Sequence, residues 1–489
     1  MATKLDWQKV VAEVSHTMLI DGKSVEAEHQ AIFTVFDPAT GEAIAEIADG
    51  NAQNALRALD ACVAAQPQWA QSAPAERASL LRRAYDLTLK RQEELATIIS
   101  LEMGKPLAEA RGEVAYGASY LLWFSEQAAH HHGTITPGPA GNRQILAVSR
   151  PIGPCLLLVP WNFPFAMSAR KIAPALAAGC TFILKPATLT PLTSLAFMDI
   201  LVEAGLPRGV GNLVTSSKAS PISTALLEDG RLRKISFTGS TPVGRTLLKQ
   251  AADTIVHSSM ELGGNAPFIV FEDADLDAAA DQALDAKMRN IGEACTAANR
   301  FLVAENVAEE FTQKLVERME KLQPGHGLEE GTTVGPVISE KAQSEMADFV
   351  ELCKRHGGTV RLGGAALDRP GYFFAPTVIS GMEHTDELVN HEIFGPIAAI
   401  YTFKDEAEAI SMANATIYGL ASYVCSASFE RYYRVASQLE FGMCGWNSGV
   451  ISDAAAPFGG MKQSGLGREG AHEGIEEFTE TQYLCIPFN

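Results

Sequence analysis

The chain has 489 residues, with 39 basic against 58 acidic side chains for a net charge of −19, and 47% of its residues are hydrophobic. At roughly 100–200 residues per domain this length holds about two to four domains, and such a composition excludes a disordered chain. The acidic balance opposes a nucleic-acid or anionic-membrane partner, since either polyanion is repelled unless a basic patch overrides the summed field, and no such patch is visible.

The opening residues, Met1-Ala2-Thr3-Lys4-Leu5-Asp6-Trp7, lack the apolar core and small-residue cleavage site of a signal peptide, so a cytoplasmic location is expected. From Ser72 to Ala129 the pattern is helical, with Leu80, Leu81, Ala84 and Leu87 on one face and a break at Gly104-Lys105-Pro106. Residues 130–150 read as a protruding β-ribbon, which the tail after Ala471 rejoins. Within it, His130-His131-His132 point in different directions and predict no metal site. The uncharged run from Arg150 to Arg170 contains Pro151, Pro154, Pro160, Asn162 and Pro164, so it is a strand and a turn, not a membrane span. Short apolar runs at 155–159, 181–184, 211–214 and 234–237 then alternate with helical patterns at 191–204 and 241–251, which predicts βαβ units and a parallel, doubly wound sheet. A second α/β region starts near Glu261, with strands at 268–271 and 301–303, and ends in the Gly-rich stretch 459–470. The eight cysteines show no Cys-x-x-Cys pairing, so neither a disulfide framework nor zinc is expected.

Several stretches carry chemistry, each with a bland reading beside it. Pro160-Trp161-Asn162-Phe163-Pro164 lies where a strand ends, the edge at which open α/β sheets bind ligands, and a rigidly held Asn amide suits a developing oxyanion. It equally suits a capping Asn in a Pro-rich turn. Lys185 and Thr188 follow the next strand and suit a ribose hydroxyl or a phosphate, or plain solvation. Gly239-Ser240 open a helix after a strand, a place for a pyrophosphate, though the spacing matches neither a P-loop nor Gly-x-Gly-x-x-Gly. Glu261 precedes Leu262-Gly263-Gly264. Cys295 follows Gly292 and Ala294, small neighbours that leave a thiol uncovered in amide-rich surroundings that favour its thiolate. An isolated cysteine is otherwise a core filler. Glu392 and Phe394 share a rigid turn, able to accept from ribose and cover a flat ring.

Together and in this order, these stretches resemble the aldehyde dehydrogenase superfamily over essentially the whole chain, as far as Pro457-Phe458-Gly459-Gly460-Met461-Lys462-Gln463-Ser464-Gly465. The resemblance implies an α/β fold: a Rossmann-like cofactor domain (1–129 and 150–260), an α/β catalytic domain (261–470) and a small β-ribbon element (130–149 and 471–489) that builds homodimers or homotetramers. It makes Cys295 the nucleophile, Glu261 the general base, and Asn162 with the Cys295 backbone N–H the oxyanion hole. Trp161, Lys185, Thr188, Gly239, Ser240, Leu262, Glu392 and Phe394 would hold the nicotinamide cofactor. Within the superfamily, Gly117-Ala118-Ser119-Tyr120, Trp123-Phe124-Ser125-Glu126 and Val450-Ile451-Ser452 are most similar to succinate-semialdehyde dehydrogenases. That match makes Arg170, Arg289 and Ser452 the ligands of a substrate carboxylate. Forked guanidinium donors suit such a group, and an acidic protein must supply the counter-charge locally. Without the match, Arg289 reads as a helix-surface ion pair and Arg170 as a helix-start cation.

Two departures sharpen the expectation. NAD-preferring relatives often carry a glutamate at the position of Thr188; a neutral hydroxyl removes its repulsion of a 2′-phosphate and leaves Lys185 free to pair with it, so NADP is expected over NAD. Ala297 replaces a second cysteine found in some of these enzymes, so no local disulfide switch is expected. The expected reaction is oxidation of succinate semialdehyde, or a similar small aldehyde bearing a carboxylate, through a cysteine thioester. The alternatives are a glutarate-semialdehyde or non-specific aldehyde dehydrogenase, a cysteine hydrolase needing no nucleotide, and a nucleotide-binding or structural protein.

Overall fold

The computed structural model describes residues 6–130 and 133–488. Residues 1–5, where no leader is expected, and His131 and His132 of the histidine run lie outside the described residues. The helical stretch after Ser72 is three helices, Pro74–Lys90, Gln92–Met103 and Leu107–Gln127 (α1). Gly104 ends the second with a left-handed φ of +93°, which favours a residue lacking Cβ. A further helix, Ala52–Ala70, was not anticipated: its buried stripe is largely Ala55, Ala58, Leu59 and Cys62, too weakly apolar to stand out.

The predicted strands form Cys155–Leu158 (β1), Phe182–Lys185 (β2), Gly211–Leu213 (β3) and Lys234–Thr238 (β4), joined by His257–Glu261 (β5). They pair in parallel in the order β5-β4-β1-β2-β3. Cys155 and Leu157 enter one core while Leu156 and Leu158 enter the other, which is how an unbroken apolar run serves a sheet covered on both faces. Helices Pro164–Ala178 (α2) and Thr241–Thr254 (α3) follow β1 and β4. The chain runs from β1 outward to β3, then returns to the other side of β1 with β4. Such a reversal opens a crevice outside the carboxyl ends of β1 and β4, the usual ligand position in open α/β sheets. Met18–Ile20, Lys23–Val25 and Gly465–Leu466 add short antiparallel edges that the sequence pattern did not reveal.

The second sheet contains Ala266–Val270 (β6), Ala298–Ala304 (β7), Thr377–Ser380 (β8), Ile397–Phe403 (β9), Ala421–Cys425 (β10) and Met443–Trp446 (β11). These run parallel in the order β8-β9-β7-β6-β10-β11, with Thr359–Leu362 antiparallel beside β8. Leu276–Met288 (α4) connects β6 towards β7; Asp275 caps it, accepting from the N–H groups of Asp277 and Ala278. The ribbon consists of Thr134–Pro137 and Arg143–Pro151, and the tail strand Thr479–Pro487 (β12) pairs antiparallel with the latter. Among the described residues no helix is long and apolar enough to cross a membrane, and no group of three or more His, Cys, Asp or Glu side chains is arranged to hold a metal.

Candidate active site

The turn after β1 is held from below. Pro164 starts α2, whose residues are all buried, and the Glu113 carboxylate of α1 accepts from the first-turn N–H groups of Phe165 and Ala166 at 2.9 and 3.2 Å. Buried Lys105 pairs with Glu113 and donates to the Asn162 carbonyl at 2.8 Å. Asn162 Nδ2 donates to the Glu293 carbonyl at 2.9 Å, and Asn290 Nδ2 donates to both that carbonyl (3.0 Å) and the Asn162 carbonyl (3.1 Å). The β1 turn and the loop that leads to Cys295 are thereby tied together.

That loop is forced into an unusual path. Asn290, Ile291 and Gly292 all have positive φ, at 57°, 54° and 81°. For a β-branched residue such as Ile291 this costs about 1–3 kcal/mol, which the surrounding packing must offset. At Gly292 an added Cβ would run into the Gly395 carbonyl, so the loop lies directly on the turn that carries Glu392 and Phe394. Gly264 likewise leaves no room for a Cβ beside the Cys295 carbonyl, and its N–H donates to Glu392 Oε1 at 2.9 Å.

These tethers surround a cavity of about 220 Å³ at the switch-point crevice. The Trp161 and Phe394 rings meet edge to face across its wall, 5.5 Å apart. Asn162, Cys295, Gly239, Ser240, Leu262 and Glu392 share the lining, as do Arg170, Arg289 and Ser452. Three predicted site residues stand outside the lining. Glu261 is buried at the end of β5 immediately before Leu262, while Lys185 and Thr188 lie farther along the carboxyl edge of the sheet. Thr188 donates to the Ser216 carbonyl at 3.0 Å.

The electrostatics correct one expectation. Burial pushes the half-buried Cys295 thiol up to about 12; Arg170 opposes the shift, Glu261 and Glu392 add to it, and Arg289 opposes it. The thiolate is therefore not favoured by the surroundings as they stand, because desolvation outweighs the neighbouring guanidinium groups. Glu261 is raised well above the ordinary carboxylate range, first by burial and then by Glu469, and among the described residues neither of its oxygens has a hydrogen-bond partner. Glu392 is pushed up to about 7 by burial.

The two arginines differ. Arg170 is 1% exposed, ion-paired with Glu469, which also binds Lys171 at 2.6 Å, and lies 4.0 Å over the Phe458 ring. Among the described residues its Nη2 has no hydrogen-bond partner. Arg289 is half-buried, 5.1 Å from the Phe163 ring and 5.6 Å from that of Tyr116, and among the described residues it has no carboxylate partner. Glu469 and Tyr116 escape the sequence reading, and Phe163 and Phe458 enter it only inside longer motifs, with no role assigned. Glu469 reaches Lys171 across 298 positions, and nothing local marks it; Tyr116 stood beside a flagged motif.

Residues 24–484 match the Aldehyde dehydrogenase family. The chain belongs to that family. It is 55% identical over 443 residues to a succinate-semialdehyde dehydrogenase of Paenarthrobacter nicotinovorans, covering 91% of this chain and 98% of the other. It is 45% identical over 467 residues to a glutarate-semialdehyde dehydrogenase of Pseudomonas putida, covering 96% and 97%. Among solved structures, an NADP-dependent enzyme of Escherichia coli superposes with a TM-score of 0.97 at 42% identity, covering 99% and 100%. For an aldehyde dehydrogenase, the crevice fits a dinucleotide in two respects. Ser240 makes no side-chain cap on α3, so first-turn N–H groups are not taken by it, and Thr238 Oγ1 is a buried hydroxyl on the lining without a partner among the described residues.

Proposed function

We propose that the protein oxidises succinate semialdehyde, or a closely similar ω-carboxy aldehyde, to the carboxylic acid with NADP+ as preferred oxidant and NAD+ as a poorer one. The observation that carries this reading is Arg289, a cation that makes no salt bridge among the described residues, although buried Glu109 feels its charge, on the wall of the cavity onto which Cys295 opens. A half-buried guanidinium without a carboxylate of its own suits an anionic substrate tail. Ser452 shares the lining, and Arg170 adds its unpartnered Nη2. Glutarate semialdehyde, one methylene longer, is the second reading, supported by the name of the Pseudomonas putida relative.

Cys295 Sγ attacks the aldehyde carbon. Burial favours the protonated form of both groups, so the thiol proton must leave as the bond forms, and Glu261, whose two oxygens have no hydrogen-bond partner among the described residues, would accept it in its ionised form. Asn162 has one amide hydrogen on the Glu293 carbonyl; its second, with the Cys295 backbone N–H, faces the new oxyanion. The chemistry a bound nicotinamide supplies is hydride acceptance, which leaves a thioester on Cys295. Glu261, once it has released the thiol proton, takes one from the water that hydrolyses this thioester. Gly239, Ser240 and Leu262 line the cofactor side, with Trp161 and Phe394 at the ring and Glu392 at a ribose. Lys185 and Thr188, farther along the carboxyl edge of the same sheet, would hold the adenosine end of the cofactor. The cofactor, catalytic and ribbon units are assigned to 1–129 with 150–260, 261–470, and 130–149 with 471–489, although Gly465–Leu466 pairs with β5 of the cofactor sheet. A homodimer or homotetramer fits the ribbon: β12 is an edge strand with exposed Tyr483, Leu484 and Ile486. Eight free cysteines suit a reducing cytoplasm.

The test is absorbance at 340 nm across an aldehyde panel with each nucleotide. Succinate semialdehyde is expected to exceed butanal in kcat/KM by about 100-fold, the scale of one charge-assisted pair. Equal values for the two overturn the carboxylate reading, and turnover without a nucleotide redirects it to a hydrolase.

A further inference from the structure

Helix α1 passes over α2 beside the cavity, and Gly117 sets the approach: a Cβ there would stand 2.5 Å from the Phe165 ring. The contact that this glycine permits brings the preceding side chain, Tyr116, into the cavity wall near the Arg289 guanidinium. One turn on, Tyr120 is fully buried, its ring 3.3 Å from the position of a Cβ on Gly470, next to Glu469. The i, i+4 spacing places both tyrosines on one helix face. Their rings meet edge to face at 5.2 Å and their hydroxyl oxygens are 2.8 Å apart.

That hydrogen bond can run in two directions, and burial selects one. Among the described residues, Tyr116 is the sole hydrogen-bond partner of the Tyr120 hydroxyl. Were Tyr116 the donor, the Tyr120 proton would be sealed from water without an acceptor, a penalty on the scale of a lost hydrogen bond. Tyr120 therefore donates and the Tyr116 oxygen accepts, which turns the Tyr116 proton away from Tyr120. Among the described residues no acceptor of the chain meets that proton, and neighbouring Arg289 has only donors. A hydroxyl donor next to an unpaired guanidinium matches a ligand with two anionic oxygens.

We propose that Tyr116 is a specificity-determining residue for ω-carboxy aldehydes, its hydroxyl donating to the substrate's distal carboxylate beside Arg289, with Tyr120 the positioning residue that directs its proton. This rests on the carboxylate reading of the same cavity, so the experiment separates the two. The readout is the ratio of kcat/KM for succinate semialdehyde to that for butanal, measured with the full-length enzyme and saturating NADP+. Y116F keeps the ring and removes only the donor; the ratio is expected to fall about tenfold, carried by the KM of the carboxylated aldehyde, as for loss of a hydrogen bond to a charged group. Y120F leaves the Tyr116 donor but not its direction, with an expected fall of about threefold. R289A is measured in parallel. If R289A lowers the ratio and Y116F does not, the proposal for Tyr116 is overturned while the carboxylate reading stands. If neither lowers it, both fall. If Y116F lowers both aldehydes equally, its role is structural and the specificity proposal is rejected; an unchanged ratio in Y120F removes the part given to Tyr120.

Discussion

On the buried side of the cavity Arg170 is paired with Glu469 and packed over Phe458, whereas on the open side Arg289 rests between Tyr116 and Phe163 without a salt bridge among the described residues. The same side chain is placed in two solvation regimes. A fully buried cation must find its partners within the chain, because the desolvation cost of an unpartnered ion is several kcal/mol. Glu469, with Arg170 and Lys171 on its two oxygens, satisfies that need. A half-exposed cation keeps water as a partner until a ligand replaces it. The buried side therefore shapes the field around Cys295 and Glu261, and the open side is where recognition is expected.

The strongest way to break this division is at the sulfur. Cys295→Ala is expected to lower kcat by at least about 10⁵-fold with every aldehyde, the scale of deleting a nucleophile. Residual dehydrogenase turnover at a tenth of the parent rate would remove Cys295 from the reaction. The same atom offers a pH test. With the thiol pushed up to about 12, the thiolate fraction at neutral pH is small and rises with pH. The iodoacetamide inactivation rate of the cofactor-free enzyme should then climb about tenfold per pH unit from 7 to 10. A plateau near pH 8 would mean a lower thiol pKa than burial dictates.

Glu469→Gln tests the buried side by itself. It leaves Arg170 and Lys171 facing a neutral amide, and breaking such a buried pair costs about 3–5 kcal/mol. A lower urea midpoint is expected, and an unchanged one would show that Arg170 is not held by this carboxylate. Arg289→Ala is the counterpart on the open side. Its expected effect is about a 100-fold fall in preference for the carboxylated aldehyde, with the urea midpoint within about 0.5 kcal/mol of the parent. A large stability loss would erase the contrast between the two arginines.

How much of this was legible in the sequence depends on the range of the interaction. Runs such as Cys155–Leu158 announce a strand buried on both faces, and the Pro-rich and Gly-rich turns that follow β1 and β4 mark ligand-binding strand ends, so the parallel sheet and its crevice could be read directly. Gly465–Leu466, a two-residue edge strand, has too little periodicity to be seen. The Lys171–Glu469 pair spans 298 positions, and only folding brings it together. The direction of the Cys295 shift differs from the sequence expectation for a related reason: neighbours in sequence suggest amides, but burial together with the charges of Arg170, Glu261, Glu392 and Arg289 decides. The exposure of Arg289 and the hydrogen-bond direction at Tyr116 belong to the same class.

The smallest expected effect lies away from both arginines, at Lys185, proposed for the adenosine end of the cofactor. Burial lowers the Lys185 ammonium to about 8, with Asp49 opposing the shift, so Lys185 is cationic below that pH and loses its charge as pH rises through it. A 2′-phosphate beside it would favour the charged form. Lys185→Ala should therefore raise the KM for NADP+ about tenfold more than that for NAD+ at pH 7, as a single phosphate contact does. In the parent enzyme the preference for NADP+ should also narrow between pH 7 and 9. If the variant weakens both nucleotides equally, Lys185 binds a group they share, such as a ribose hydroxyl, and the neutral Thr188 alone would have to account for any NADP+ preference.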